Sequence, residues 1–386
     1  MLSAAPTVLP CICVTQGGIK PCVSAHVGDQ FTTTNEHLLS KTFGYFYFSI
    51  NAGSFVSTLL TPYLLVISGP HLAFGLPGLL MCLATVVFWS GRWHYAHIPP
   101  QGCNGGVVTV VAVVVGSLVL VVPVVSATVS VSVAIFAVVA IVVAAIAAAA
   151  QLGRLLSIYV FIAMFWALYD QTGSAWVQQA DRMDRNFLGV EWLSSQIQAV
   201  NPILVLLLIP TFNGFPLRGG RRYLGLYALV ERWSGVRLGP LRKIGGGLFL
   251  TVLAFAVSAL AELKISRAQH AEQEELEWVH QNHSSLGAAH LASGKRPSIA
   301  WQLLAYTILT CAEVMVSITC LEFSYTQAPR ECKSLVMALF LASVSMGNAF
   351  DALFNALIRR SDGSSRLSDV TYYLFFTAAM LVTATL

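Results

Sequence analysis

The sequence predicts an all-helical protein that crosses a lipid bilayer many times. Of its 386 residues only 10% are charged while 56% are hydrophobic. An ordinary soluble domain has about 25% charged and about 45–50% apolar residues, so this surface must meet something other than water. Apolar runs of about 20 residues recur along the chain, the length that crosses about 30 Å of hydrocarbon. In lipid such a run must satisfy its own backbone hydrogen bonds, which makes each one a helix.

The pattern gives about eleven membrane segments, two of them incomplete. The first, 7–26, is weak. Two clear spans follow at 43–66 and 72–90. Residues 106–150 form a tract of Val, Ala, Ile and Ser, with Gly116 and Pro123 in its first half and a polar stretch, Ser126–Ser132, near its middle. This reads as two helices folded back on each other. Val slightly disfavours helix in water, but in hydrocarbon the backbone requirement wins. Further spans are expected at 155–178, 196–212, 244–264, 300–322 and 334–357. The last run, from 371 onward, is short for a full crossing. The start lacks a basic segment, and Pro6 and Pro10 interrupt its apolar stretch, unlike a signal peptide.

Loop charge orients the spans. The connection 213–243 carries Arg218, Arg221, Arg222, Arg232, Arg237, Arg242 and Lys243 and is expected in the cytoplasm. The connection 265–299, with Glu272, Glu274, Glu275 and Glu277, is expected outside. So is 178–196, with Asp181, Asp184 and Glu191 against Arg182 and Arg185. Arg359, Arg360 and Arg366 run against this scheme, but seven positive charges outweigh three.

Other classes of function find little support. A formal net charge of +4 is too small for a chain whose main partner is nucleic acid. Cys82, Cys311 and Cys320 lie in apolar runs, where packing is the expected role, and the bare Cys11-x-Cys13 pair is a weak metal signal. His270, His280, His283 and His290 lie in a polar stretch without ligand spacing. The glycines at 245–247 lack the Gly-Lys-Ser/Thr ending of a phosphate loop. No Ser-His-Asp or HExxH arrangement is present, so no enzyme, no metal and no cofactor is expected.

Five stretches carry a resemblance. They are Gly17-Gly18-Ile19-Lys20-Pro21-Cys22-Val23-Ser24 with Gly28-Asp29-Gln30-Phe31, then Phe46-Tyr47-Phe48-Ser49-Ile50-Asn51-Ala52-Gly53-Ser54, then Phe165-Trp166-Ala167-Leu168-Tyr169-Asp170-Gln171, then Ala199-Val200-Asn201-Pro202, and finally Glu313 with Leu321-Glu322-Phe323-Ser324-Tyr325-Thr326-Gln327-Ala328-Pro329. In this order they resemble the proton-coupled oligopeptide transporter (POT, or PTR) family of the major facilitator superfamily. The resemblance implies a major facilitator helical bundle, N-terminally truncated. Residues 1–100 would be the remnant of the N-terminal bundle (family helices 4–6). Residues 101–153 would be an extra helix pair between the sixth and seventh family helices. Residues 154–386 would be the C-terminal bundle (helices 7–12, the last incomplete). Family helices 1–3, with their Glu-x-x-Glu-Arg motif, would be absent, and the 8→9 loop holds an insertion around Pro216–Gly225.

The function the resemblance implies is proton-driven symport of di- and tripeptides by alternating access. Its partners would be peptides, protons as the coupling ion and the lipid bilayer, in a plasma membrane or a cell inner membrane. Two rival readings stand beside it: a transporter of the same family for an amino acid or nitrate, and an inactive fragment. Lys20 and Glu313, as opposite charges, favour a zwitterion over nitrate.

A zwitterionic peptide needs a cation for its carboxylate, an anion for its amino group and amide partners for its backbone, near the bilayer midplane. Lys20, between two glycines and Pro21, is the candidate cation and a candidate for proton coupling; the bland reading is a lysine snorkelling to the interface. Glu313, deep in its span, is the candidate anion and proton carrier, against a glutamate paired for structure alone. Ser317 and Cys320 continue its face at helical spacing. Tyr47, Asn51, Ser54 and Thr58 form one polar stripe, read as a cavity wall or as interhelical hydrogen bonding. Asn201 before Pro202 is a candidate for the peptide backbone, or for the broken turn itself. Trp166 would line a side-chain pocket or simply pack. Asp170 and Glu322 are candidates for gating or proton transfer, against a structural hydrogen bond and a solvated interface role. Gly53 with Ser57, and Gly173 with Val177, are expected to mark close helix packing.

The loop charges generate a test of orientation. On a cysteine-free background, a cysteine at Ser285 should react with an impermeant maleimide applied to intact cells; labelling only after permeabilisation would reverse the assignment.

Overall fold

The computed structural model describes residues 22–31, 35, 38–96, 150–187, 189–216, 222–223, 225–281, 296–328, 333–360 and 365–386. A short helical stretch, α1, covers 22–29. The longer helices are α2 (Leu39–Ser90), α3 (Ala150–Asp170), α5 (Val200–Asn213), α7 (Pro240–Gln281), α8 (Ala300–Glu313), α10 (Lys333–Ile358) and α11 (Asp369–Thr385). Shorter helices are α4 (Ala175–Asp181), α6 (Leu226–Ser234) and α9 (Thr319–Gln327). Two small antiparallel pairs, Asn186–Phe187 with Val190–Glu191 and Phe215–Pro216 with Arg222–Tyr223, sit in connections. Six stretches among the described residues are long and apolar enough to cross a membrane: Ile67–Trp93, Leu155–Asp181, Gln196–Asn213, Pro240–Glu274, Ala300–Gln327 and Lys333–Ile358.

The helices group into two compact units. The second unit comprises residues 48–73, 168–316 and 358–386. In it α7 packs against both α8 and α11, and α8 also meets α5. Its core holds Trp176, Phe255, Tyr306, Leu309 and Phe376, each nearly inaccessible. The Trp176 ring stands edge-on to Tyr306 at 4.7 Å between centroids. α7 comes close to α8 at Gly247, where a Cβ would meet the Ala312 carbonyl at 3.0 Å and the Met315 side chain at 3.3 Å.

The backbone of this unit is broken after α3, where Gln171–Gly173 form a 3₁₀ turn before α4. A break frees carbonyls that lipid cannot solvate. Three long side chains reach carbonyls at the break and in the first turn of α4. Tyr306 donates its hydroxyl to the Thr172 carbonyl at 3.2 Å. Tyr373 donates to Ala175 at 3.1 Å, and Gln302 Nε2 donates to Trp176 at 2.6 Å. The Asp184 backbone pairs with Pro297 and Ile299, 2.9 Å each way. Asp184 and the segment 297–299 therefore lie side by side.

The first unit comprises residues 1–47, 74–167 and 317–357. Here α10 lies against α3 at Gly347, whose added Cβ would meet the Ala163 carbonyl at 2.5 Å and the Ala167 nitrogen at 2.7 Å. Tyr159 of α3 donates its hydroxyl to Ser324 at 2.7 Å.

The structure adjusts two expectations. The expected spans 43–66 and 72–90 form the two arms of α2, which meet at a kink at Gly69 (φ 77°, ψ 179°) before Pro70. Glycine adopts that positive φ without a Cβ clash. α7 does not stop at 264 but runs on to Gln281, 42 residues in all, because Ala, Glu, Gln, Lys and Arg favour helix whether or not lipid surrounds them. The small-residue pairs at Gly53 and Gly173 do not mark close packing, since a Cβ at either would meet nothing within 4 Å. The close approaches lie at Gly247 and Gly347 instead. Residues 106–150, read as a helical hairpin, lie outside the described residues, apart from Ala150 at the start of α3.

Filling a tight contact with extra carbon costs about 1–3 kcal/mol. Gly247→Val and Gly347→Val should each lower the melting temperature of the detergent-solubilised protein, while Gly53→Ala leaves it unchanged. Equal melting temperatures for all three would contradict the assigned contacts.

Candidate functional site

The expected anion, Glu313, is the last residue of α8 and is 2% exposed. The next five residues, Val314–Ile318, form a π-helical turn. Such turns insert an extra residue into a helix and recur at functional sites. The face that Glu313, Ser317 and Cys320 were expected to share at α-helical spacing is therefore interrupted between its first two members. Ser317 is also buried, and its hydroxyl has no hydrogen-bond partner among the described residues.

Asn201 stands at the start of α5, one residue before Pro202. Its Nδ2 donates to Glu313 Oε2 at 2.7 Å and to Thr310 Oγ1 at 3.1 Å. Tyr169, at the end of α3, donates its hydroxyl to Asn201 Oδ1 at 3.2 Å. Thr310 has given its own proton to the Tyr306 carbonyl at 2.7 Å. That last bond fixes the polarity of the cluster. With its proton committed, Thr310 can only accept, so the side of Asn201 that faces it must be the amide nitrogen. Asn201 therefore presents N–H to the glutamate. The bond does not go to the proline-broken turn.

The other expected residues fall as follows. Asn51 is buried on α2 and Asp170 is half-buried at the end of α3, both in the second unit with Asn201 and Glu313. Tyr47, Trp166, Ser317 and Glu322 belong to the first unit; Tyr47, Trp166 and Glu322 are half-buried. The Trp166 ring packs edge-on to Phe165 at 5.3 Å. Lys20 lies outside the described residues. The polar stripe on α2 is uneven: Ser54 is exposed, and Thr58 turns its hydroxyl to the Ser54 carbonyl at 2.9 Å.

Two clusters escaped the sequence reading. In the second unit Glu262, wholly buried on α7, accepts from Gln179 Nε2 at 2.8 Å and meets Arg182 Nη1 at 2.8 Å. Arg182 also reaches Asp369 at 2.6 Å. Arg182 thus serves as a clasp among α4, α7 and α11 rather than as a free loop charge. The available signal was a lone acid near the end of an apolar span. In the first unit Asp29 accepts from the Tyr325 hydroxyl at 2.8 Å, with Lys333 Nζ at 3.7 Å from the same carboxylate. The apolar crevice between α7 and α11, lined by Leu260, Leu263, Val370 and Leu374 among others, holds none of the expected site residues.

Apolar spans that enclose paired carboxylates define a multi-pass helical membrane protein, and its polar residues cluster where α3, α5 and α8 meet. The chain belongs to the POT family: the family model (PTR2) matches residues 7–371. Mouse Solute carrier family 15 member 2 is 37% identical over 274 residues, covering 68% of this chain and 35% of that protein. Peptide transporter 3 of Caenorhabditis elegans is 36% identical over 263 residues, covering 66% and 36%. The chain thus spans about a third of the length of these relatives. Among solved structures, the POT family transporter PepTSo aligns with a TM-score of 0.67 at 30% identity, covering 95% of this chain and 74% of that one. An auto-inhibited POT family peptide transporter aligns at 0.64 and 29%. The family is one of transporters, in line with the absence of any enzyme motif.

The buried charges make a separate prediction about stability. Removing one partner of a buried ion pair commonly costs about 3–5 kcal/mol, because the other is left without compensation. Glu262→Ala should therefore unfold the protein at markedly lower temperature. Asp369→Ala, at a side chain 59% exposed, should cost less than about 1 kcal/mol. Comparable shifts from the two variants would refute the clasp.

Proposed function

We propose that the chain serves proton-driven symport of di- and tripeptides by alternating access. The observation that carries this reading is Glu313, a buried carboxylate to which Asn201 presents N–H. The relatives' names point the same way, since one is a peptide transporter and another a Solute carrier family 15 member. A peptide's ammonium leaving water needs an anion, and a buried carboxylate can supply one. The same carboxylate can hold a proton instead. Symport needs proton and peptide bound together, so a proton that the ammonium displaces from Glu313 passes to a second group, the role this reading gives to Lys20, Asp170 or Glu322.

In this reading Lys20 takes the peptide carboxylate or serves proton coupling. Tyr47, Asn51, Trp166 and Ser317 contribute to the pocket, and Asp170 and Glu322 to gating or proton transfer. The arrangement 1–100, 101–153 and 154–386 remains the proposed domain plan, and a plasma or cell inner membrane the proposed location.

The experiment is uptake of a labelled dipeptide into cells, with the variant protein checked for surface level and monodispersity. Losing a desolvated charge partner costs about 2–5 kcal/mol, or about 30-fold to several-thousand-fold in affinity. Glu313→Ala and Glu313→Gln should both reach that range. Thr310→Val, which releases the amide of Asn201 to rotate, should weaken uptake by a smaller factor, and Thr310→Ser should restore it. Glu274→Ala, exposed on α7's polar end, should be silent. Normal affinity and rate in Glu313→Gln would remove the basis for peptide recognition at this site.

A further inference from the structure

Helix α6 carries an apolar face turned away from the protein. It covers nine residues, Leu226–Ser234, between the extended backbone of Gly225 and the left-handed Gly235 (φ 68°). The left-handed glycine is a common helix stop. One face is pinned inward. The Tyr227 ring meets Phe212 of α5 at 5.0 Å, and Lys243 Nζ lies over it at 4.3 Å. Glu231, one turn on, accepts the Leu238 backbone N–H at 2.6 Å. The opposite face carries Leu226, Leu229, Val230 and Trp233, spaced i, i+3, i+4 and i+7, all exposed. Trp233 is 94% exposed, and Val236 just beyond is exposed too.

In water this arrangement would be inside out, since an amphipathic helix normally buries its apolar stripe. The medium facing the stripe must be apolar. Yet nine residues reach only about 14 Å, too short to cross a bilayer. The helix also connects α5 to α7, both of membrane-crossing length, so it lies at a membrane surface. Charge identifies the surface. The connection 213–243 has seven basic residues against one acid, Glu231. Arg232, Arg237 and Arg242 on it are exposed. An apolar stripe with basic flanks and a tryptophan is the composition of a helix lying in the headgroup layer of an anionic leaflet.

We propose that α6 is an interfacial helix, with Leu226, Leu229, Val230 and Trp233 in the upper acyl region and Arg232 and Arg237 on lipid phosphates. The helix anchors the α5–α7 connection to the leaflet, independently of what the protein transports.

The test uses the whole chain reconstituted into vesicles of phosphatidylcholine alone or with phosphatidylglycerol. Subtracting the emission of Trp233→Phe isolates the Trp233 signal from the seven other tryptophans. The expected signal is blue-shifted and quenched by lipids brominated near the headgroup more than by lipids brominated near the chain end. Arg232→Glu combined with Arg237→Glu should reduce that quenching severalfold in phosphatidylglycerol vesicles and little in phosphatidylcholine. Three results would each overturn the proposal. Quenching by aqueous iodide but not by bromolipid would place the stripe in water. A blue-shifted signal shielded from both quenchers would place it against protein. Equal quenching in both lipids, unmoved by the charge reversals, would remove the anionic surface.

Discussion

Hydrocarbon offers no hydrogen bonds, so every polar group within it must find its partner in the protein. That constraint explains the least regular part of the structure. The chain breaks between α3 and α4 at Gln171–Gly173, where Tyr306 takes the Thr172 carbonyl while Tyr373 and Gln302 bind carbonyls in the first turn of α4. These three side chains come from α8 and α11. The same contacts that satisfy the broken strand of backbone hold those helices around α4. Packing and hydrogen bonding are one arrangement here, and neither could be altered alone.

The same constraint separates two buried carboxylates. Glu262 is held by Gln179 and by Arg182, so its charge is balanced within the protein. An ion pair already formed is a poor site for a charged substrate, which would have to displace a residue that cannot be replaced by water. Glu262 therefore reads as a structural charge. At Glu313 the described bond comes from the neutral amide of Asn201, and Thr310 and Tyr169 fix which end of that amide faces it.

The sequence made the helices legible because lipid imposes both their length and their periodicity. It marked Glu313 and Asn201 because a lone polar residue in an apolar run has few reasons to be there. It hid what depends on three dimensions. Thr310 and Tyr169 look ordinary in a membrane span, and their roles appear only when α3, α5 and α8 converge. Arg182 looked like a loop charge because Glu262 and Asp369 are far from it in sequence. Small residues at i and i+4 suggested close packing at Gly53, yet the tight approaches lie at Gly247 and Gly347. A small residue permits close approach, but only the neighbouring helix can require it.

The π turn at Val314–Ile318 ties these points together. A residue inserted into a helix turns everything beyond it and widens the backbone locally. Bulk at the contact would push the neighbouring helix away, but α7 brings Gly247 to this turn, against Ala312, Met315 and Val316. The glycine admits the widened turn without loss of packing. On the opposite flank of Glu313, Thr310 is one turn earlier in ordinary α geometry and is locked to the Tyr306 carbonyl. The glutamate thus stands at the junction between a rigid helix and an irregular one. Its regular side sets the direction of the Asn201 bond, and its irregular side meets the glycine of α7. On the proposed reading, a junction of this kind lets Glu313 exchange partners while the rest of α8 keeps its packing.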